Sequence, residues 1–228
     1  MRMGNKNVSA VLKLFAGSRL WLLIAIYVLV WLVTIVCAAI QLISDLHARS
    51  VGTLAEQTLS LAEMQPVNAY VEADNVLISE NEDPQLLYTV PAGMQLKTLR
   101  FAADYDKTPY ERCVYYTTEE GGAFSGSRRV WPKENADGSL TFELPRGVWA
   151  IRLDPGSRMD LRVSIKEIVL NEERAALSYF IPEADELVML LLLPGLGAAA
   201  LQCGVDAVKY RREHRNEQAA QRRGAKKQ

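Results

Sequence analysis

Residues 20–44 read LWLLIAIYVLVWLVTIVCAAIQLIS, twenty-five residues without a charge between Arg19 and Asp45. At about 1.5 Å per residue a helix of this length covers roughly 37 Å, more than the ~30 Å of a bilayer's hydrocarbon core. A soluble core helix would carry a polar stripe along one side, and this run has none. It is therefore read as a transmembrane helix. A cleaved signal peptide is the nearest rival, because Val36, Cys37 and Ala38 resemble a small-residue cleavage site after a basic start. Its apolar core would far exceed the usual ~7–15 residues. A lipoprotein is disfavoured by Val36, which stands before Cys37 where a small residue is needed.

A second run, LVMLLLLPGLGAAALQCGV at residues 187–205, lies between Glu186 and Asp206 and is about the minimum length for a span. Pro194 removes a helical N–H, which a membrane helix tolerates when a neighbour serves the freed carbonyl. Gly195, Ala199, Ala200 and Gly204 stand at small-residue spacings that let another helix approach closely, so packing against the first span or a partner is expected.

The formal net charge of -1 conceals a segregation. Residues 1–19 hold four basic residues and no acid, and residues 206–228 hold eight basic residues against three acids. Residues 45–186 hold 24 acids against 14 bases, a net of -10. Basic flanks are retained in the cytoplasm, so both termini are expected inside a bacterial plasma membrane and the acidic middle outside it. The expected divisions are a cytoplasmic N-terminus (1–19), a first span (20–44), a stalk (45–66), an extracytoplasmic domain (67–174), a linker (175–186), a second span (187–208) and a cytoplasmic tail (209–228). The tail is too polar to fold alone and should lose helix after a short extension. Its bases are explained by stop-transfer and anionic lipid, and nucleic acid is not expected as a partner.

After Pro66 the texture changes to short apolar stretches separated by Gly, Pro, Asn and Asp, the signature of antiparallel strands. Leu140, Phe142 and Leu144 alternate with Thr141 and Glu143, and Asn135-Ala136-Asp137-Gly138 supplies a turn before them. Trp149, Ile151 and Leu153 share a second period-two face, which places Trp149 in the core; Leu161, Val163 and Ile165 share a third. With further strands at 86–90, 95–101, 112–118 and 128–131, seven or more fit in about 100 residues, and an all-β antiparallel sandwich is the economical fold.

Taken as a unit, VYYTTEEGGAFSGSRRVW, GSLTFELP and WAIRLDPGSRMDLRVSIKEIVL carry a pattern over about residues 85–171. It comprises a Tyr-rich strand with a Phe-Ser turn (Tyr115, Tyr116, Phe124, Ser125) and a Phe-x-Leu-Pro strand (Phe142, Leu144, Pro145). An Arg-Leu-Asp-Pro strand end (Arg152, Leu153, Asp154, Pro155) and a closing Val-x-Ile-x-x-Ile strand (Val163, Ile165, Ile168) complete it. The pattern resembles the carbohydrate-binding-module-like, jelly-roll sandwich domains associated with bacterial cell-surface polysaccharide glycosyltransferases. The resemblance implies a jelly-roll-like fold and a place in cell-envelope polysaccharide biosynthesis. No glycosyltransferase catalytic module accompanies the pattern, a departure that implies a stand-alone accessory subunit with cell-surface polysaccharide or a membrane glycosyltransferase as partner.

The only histidines are His47 and His214, both outside the strand-rich part, so zinc sites and His-based nucleophilic catalysis are not expected there. The acid pairs Asp104/Asp106, Glu119/Glu120 and Glu172/Glu173 are read as solvated loop charges rather than a glycosidase pair. Calcium lacks a loop signature; no catalytic residue, metal or cofactor is assigned. Sugar binding needs ring faces beside hydrogen-bonding groups, for which Tyr115, Tyr116 and Trp131, with Arg128 and Arg129 for acidic groups, are the candidates. Tyr115 and Tyr116 must point to opposite faces of their strand, leaving one of them in the core. Arg152 and Asp154 are read as a strand-end ion pair. Cys113 has no partner in the middle domain, so a homo-oligomer bridged through it stays open, as does one packed through the second span. The expected function is a non-enzymatic membrane accessory protein; an envelope sensor or scaffold is the alternative, and an extracytoplasmic hydrolase ranks behind both.

Overall fold

The two apolar runs become helices and all the regular structure between them is strand or short 3-10 helix. The computed structural model describes residues 19–225; the expected N-terminal segment, up to residue 18, and the last three residues of the tail lie outside it. Helix α1 runs over Arg19–Ser50 and α2 over Ala184–Ala225. The chain forms two compact units, residues 43–175 and the apolar parts on either side of them.

The stretches Trp21–Ser50 and Ala176–Val208 are each long and apolar enough to cross a bilayer. Their large side chains, among them Val28, Leu32, Ile35, Leu192, Leu196 and Leu201, are exposed. Pro194 sits inside α2 and deprives the Leu190 carbonyl of its helical donor. One residue on, the Tyr27 hydroxyl of α1 donates to the Leu191 carbonyl, and a methyl group placed on Gly195 would lie 3.3 Å from that hydroxyl. The packed side of α2 therefore includes Pro194, Gly195 and Ala198. Of the expected packing residues only Gly195 lies there; Ala199, Ala200 and Gly204 are exposed, because at about 100° per residue the face set by Gly195 continues to Ala198. Beyond residue 208, where the second span was expected to end, α2 continues to Ala225.

The other unit is a pair of antiparallel sheets. Its strands are β1 (Gln57–Thr58), β2 (Gln65–Val67), β3 (Ala69–Ala73), β4 (Val76–Ser79), β5 (Gln85–Thr89), β6 (Thr98–Tyr105), β7 (Cys113–Thr117), β8 (Arg129–Val130), β9 (Lys133–Glu134), β10 (Leu140–Glu143), β11 (Ala150–Asp154) and β12 (Arg162–Leu170). One sheet has the order β3-β4-β12-β6-β10-β9 with β1 beside the far end of β12; the other has the order β2-β5-β11-β7-β8. Alternation decides the core: Leu99 and Phe101 of β6, Leu140 and Phe142 of β10, Ile151 and Leu153 of β11 and Leu77 of β4 are almost fully buried in one cluster. Trp149, expected in that cluster, is half-buried and outside it; it precedes β11, and Val148 is buried in its stead.

Strand β12 extends beyond Ile165, where the sequence alternation stops, because its register with β6 shifts between Ile165 and Glu167. One extra residue reverses parity, so Val163 and Ile165 point inward before it and Ile168 and Leu170 after it.

The segment expected as a stalk at 45–66 is largely built into this unit. Asp45, in the last turns of α1, takes the Lys97 ammonium at 2.5 Å, and Arg49 donates to the Asn171 carbonyl at 2.8 Å. Asn171, with φ of 53° and 1% exposed, closes the junction. Its side-chain oxygen accepts from the Lys97 amide at 2.8 Å, and its side-chain nitrogen donates to the Gln95 and Ala55 carbonyls at 2.7 and 3.2 Å. No single-residue alternation announces such a hub, which is why the segment reads as a linker in sequence.

At the β9–β10 turn the Asp137 carboxylate accepts from the Ser139 hydroxyl (2.6 Å) and amide (3.0 Å) and from the Arg100 guanidinium (2.6 Å). These bonds hold its carboxyl down to about 2, against 3.8 ordinarily, with the Ser139 hydroxyl first among them. A lowered folded value means that the contribution to stability is complete above the unfolded value and is lost as pH falls through about 2. A carboxyl-carbon NMR titration of Asp137 is expected to show a midpoint near 2; a midpoint near 3.8 would mean that the turn contacts are not formed in solution.

Candidate functional site

Strand pairing lines up one residue from each strand of the five-stranded sheet. Gln65 lies opposite Leu87, Leu87 opposite Arg152, Arg152 opposite Tyr115 and Tyr115 opposite Arg129. With strands about 4.8 Å apart this row crosses roughly 19 Å of sheet. The neighbouring position in each central strand points the other way: Ile151 and Leu153 of β11, Leu86 of β5 and Val114 of β7 are fully buried. The row therefore faces away from the core.

Charged and aromatic groups interleave along it. The Arg152 guanidinium lies 4.8 Å from the Tyr115 ring centroid, and Arg129 lies 6.0 Å from Tyr115 and 4.2 Å from Trp131. Each distance is within reach of cation–π attraction. Trp131, two residues beyond Arg129, is 51% exposed. A flat ring standing open to solvent beside a guanidinium can stack on an apolar face of a ligand while the N–H groups donate to its oxygens.

The two arginines differ in what holds them. Arg152 grips Asp154 through two bonds of 2.7 Å and also bonds Asp83, as the reading of a strand-end ion pair anticipated. Asp154 is only 6% exposed, and burial pushes its carboxyl above the ordinary value more strongly than Arg152 pulls it down. Asp83 is itself fixed by Gln85 at 2.6 Å and by the Asn81 side chain at 2.8 Å. Arg129 has no carboxylate among the described residues within ion-pair distance; it lies against the two rings and donates to the Tyr115 hydroxyl.

Of the five candidates taken from the sequence, Tyr115, Arg129 and Trp131 are brought together. Tyr116 lies opposite Ile151 and packs against the core cluster, because adjacent strand residues point to opposite faces. Arg128 ends the 3-10 turn Gly126–Arg128, one residue before β8, and is not in the row. Arg152 and Leu87 belong to the row but were not candidates; only the pairing register reveals them.

Cys113 is buried, and burial, more than the nearby Asp154, pushes its thiol up to about 11. A bridge to a second copy through Cys113 would require this part of the domain to open. Three of the six paired acids are engaged in surface contacts: Asp104 bonds Lys166 at 2.6 Å, Asp106 accepts from the Arg162 amide at 2.9 Å and Glu172 meets Arg100 at 3.3 Å. Among the described residues no three His, Cys, Asp or Glu side chains form a group that could hold a metal ion.

No family model and no curated protein matches the chain. Among solved structures, a low-affinity xylan-binding module, CBM86, from the gut symbiont Roseburia intestinalis is similar at a TM-score of 0.36 and 9% identity. The alignment covers 51% of this chain and 94% of the module. A likeness this loose fixes no residue correspondence.

Proposed function

We propose that this chain is a non-enzymatic, membrane-anchored accessory protein of bacterial cell-envelope polysaccharide assembly, whose sandwich contacts glycan through Tyr115, Arg129 and Trp131. The observation that carries the reading is the open Trp131 ring stacked on Arg129 at the end of an outward row. Sugars offer that combination its complement, an apolar ring face edged with hydroxyls. Two helices long and apolar enough to span a bilayer, with basic residues at both ends of the chain, support anchoring with the domain on the non-cytoplasmic side. The glycosyltransferase partner follows from the sequence resemblance alone.

A second reading, an envelope sensor or scaffold, draws on a different observation. Helix α1 is unbroken from the apolar run to the Asp45–Lys97 and Arg49–Asn171 contacts, so a ligand-induced change in the sandwich would have a stiff element to act on.

The test is a screen of the full chain, in lipid nanodiscs, against an array of bacterial envelope glycans, followed by calorimetry on the hits. Binding is expected, with a fall of about tenfold or more in Trp131→Ala and Tyr115→Ala, as for an aromatic anchor at an interface. Absence of any glycan hit would remove direct recognition and leave the scaffold reading.

A further inference from the structure

Among the described residues, four arginines lie on strands: Arg100, Arg129, Arg152 and Arg162. Arg100 meets Asp137, Glu167 and Glu172; Arg152 meets Asp83 and Asp154; Arg162 meets Glu72. Arg129 alone among these four holds no carboxylate among the described residues. The domain is not short of acids to supply one, with 24 against 14 bases over residues 45–186. Glu111 acts on Arg129 only at longer range, as a secondary influence beside the Tyr115 hydroxyl. The Arg129 guanidinium carbon stands 4.2 Å from the Trp131 centroid and 6.0 Å from that of Tyr115, and the Tyr115 hydroxyl takes one of its N–H donors. With one N–H given to the Tyr115 hydroxyl, the guanidinium has further donors left for a planar acceptor, and a carboxylate is the acceptor that matches its fork best.

Resting on the glycan reading above, we infer that the ligand is an acidic polysaccharide, and that Arg129 takes the carboxylate of a uronic acid residue while Trp131 stacks on a sugar ring. The surrounding negative charge sharpens this: an acidic polymer is repelled by most of the domain, which favours its binding where a cation without a carboxylate partner stands beside exposed rings. A neutral glycan would gain the stacking and leave the cation unserved.

The test uses the full chain in zwitterionic nanodiscs with two probes, oligogalacturonate and its methyl ester, which share a backbone and differ in charge. The acid is expected to bind at least tenfold more tightly than the ester at low salt, with the gap closing as salt rises. Arg129→Gln should erase the gap while leaving ester binding in place, and Arg129→Lys should restore only part of it; Trp131→Ala should weaken both probes. Equal binding of acid and ester overturns the acidic assignment and leaves glycan recognition standing. Binding of neither probe also overturns the acidic assignment, and glycan recognition then stands or falls on the array. A gap that survives in Arg129→Gln places the charge recognition elsewhere and overturns the role of Arg129.

Discussion

Asn171→Ala is expected to cost the sandwich about 4 kcal/mol, a fall in Tm on the order of 10 °C. The side chain is almost wholly enclosed and serves three backbone groups on two separate stretches: the Ala55 carbonyl after α1, and the Gln95 carbonyl and Lys97 amide before β6. Alanine removes every one of these partners without opening the site to water, and each stranded group costs about 1–3 kcal/mol, with less than full additivity. The backbone adds to the loss, because φ of 53° suits asparagine and glycine better than alanine. Asn171→Gly separates the two contributions; it should recover about 1 kcal/mol of the loss while the hydrogen bonds stay absent. Thermal melting of the full chain in detergent, followed through its tryptophans, is the measurement. A change below about 1 kcal/mol in Asn171→Ala would mean that water reaches these groups and that the junction is not closed.

The second large effect is expected from Arg152→Ala, about 3 kcal/mol at neutral pH. Alanine leaves Asp154 buried with neither of its two Arg152 bonds, and takes the cation from beside Tyr115. Burial already holds the Asp154 carboxyl above its ordinary value. A raised folded value means that the carboxyl favours the fold most fully below the unfolded pKa, and that this is lost as pH rises through the folded one. The deficit of Arg152→Ala should therefore shrink on acidification, when the stranded carboxyl takes a proton. Arg152→Ala combined with Asp154→Asn should be more stable than Arg152→Ala alone at pH 7, a coupling that denaturant titration of the four proteins measures directly. Equal stability of the two variants would show that the carboxylate is hydrated in the folded chain.

The two apolar runs were legible because an uncharged stretch of twenty-five residues admits few alternatives, and the central strands because Leu140, Phe142 and Leu144 or Ile151 and Leu153 alternate cleanly. Three of the five strands that went unread have physical reasons for it. In β3 only Ala69 is buried, so an edge strand with four exposed residues shows no alternation. The two-residue strands β1 and β9 are too short to show a period. The bulge in β12 breaks the pattern in mid-strand, and it is the same extra residue that gives the Val163-x-Ile165-x-x-Ile168 spacing. For the candidate site, sequence supplied the residue types and strand parity limited the tyrosines to one of two. Which arginine stands beside which ring depends on cross-strand register, a long-range property that neither Arg129 nor Arg152 signals in its own neighbourhood. The Asn171 hub is hidden for the same cause, since its partners are more than seventy residues away.

Everything assigned to the row of rings and guanidinium groups requires the sandwich to stand on the non-cytoplasmic side of the membrane. Ser127 is exposed and close in sequence to Arg129, and Cys113 is buried, so Ser127→Cys in a chain with Cys37 and Cys203 replaced by alanine gives one accessible thiol on the domain. A membrane-impermeant maleimide applied to bacteria with a permeabilised outer layer and an intact plasma membrane is predicted to label that thiol fully. Labelling only after the plasma membrane is opened would place the domain in the cytoplasm and contradict the account.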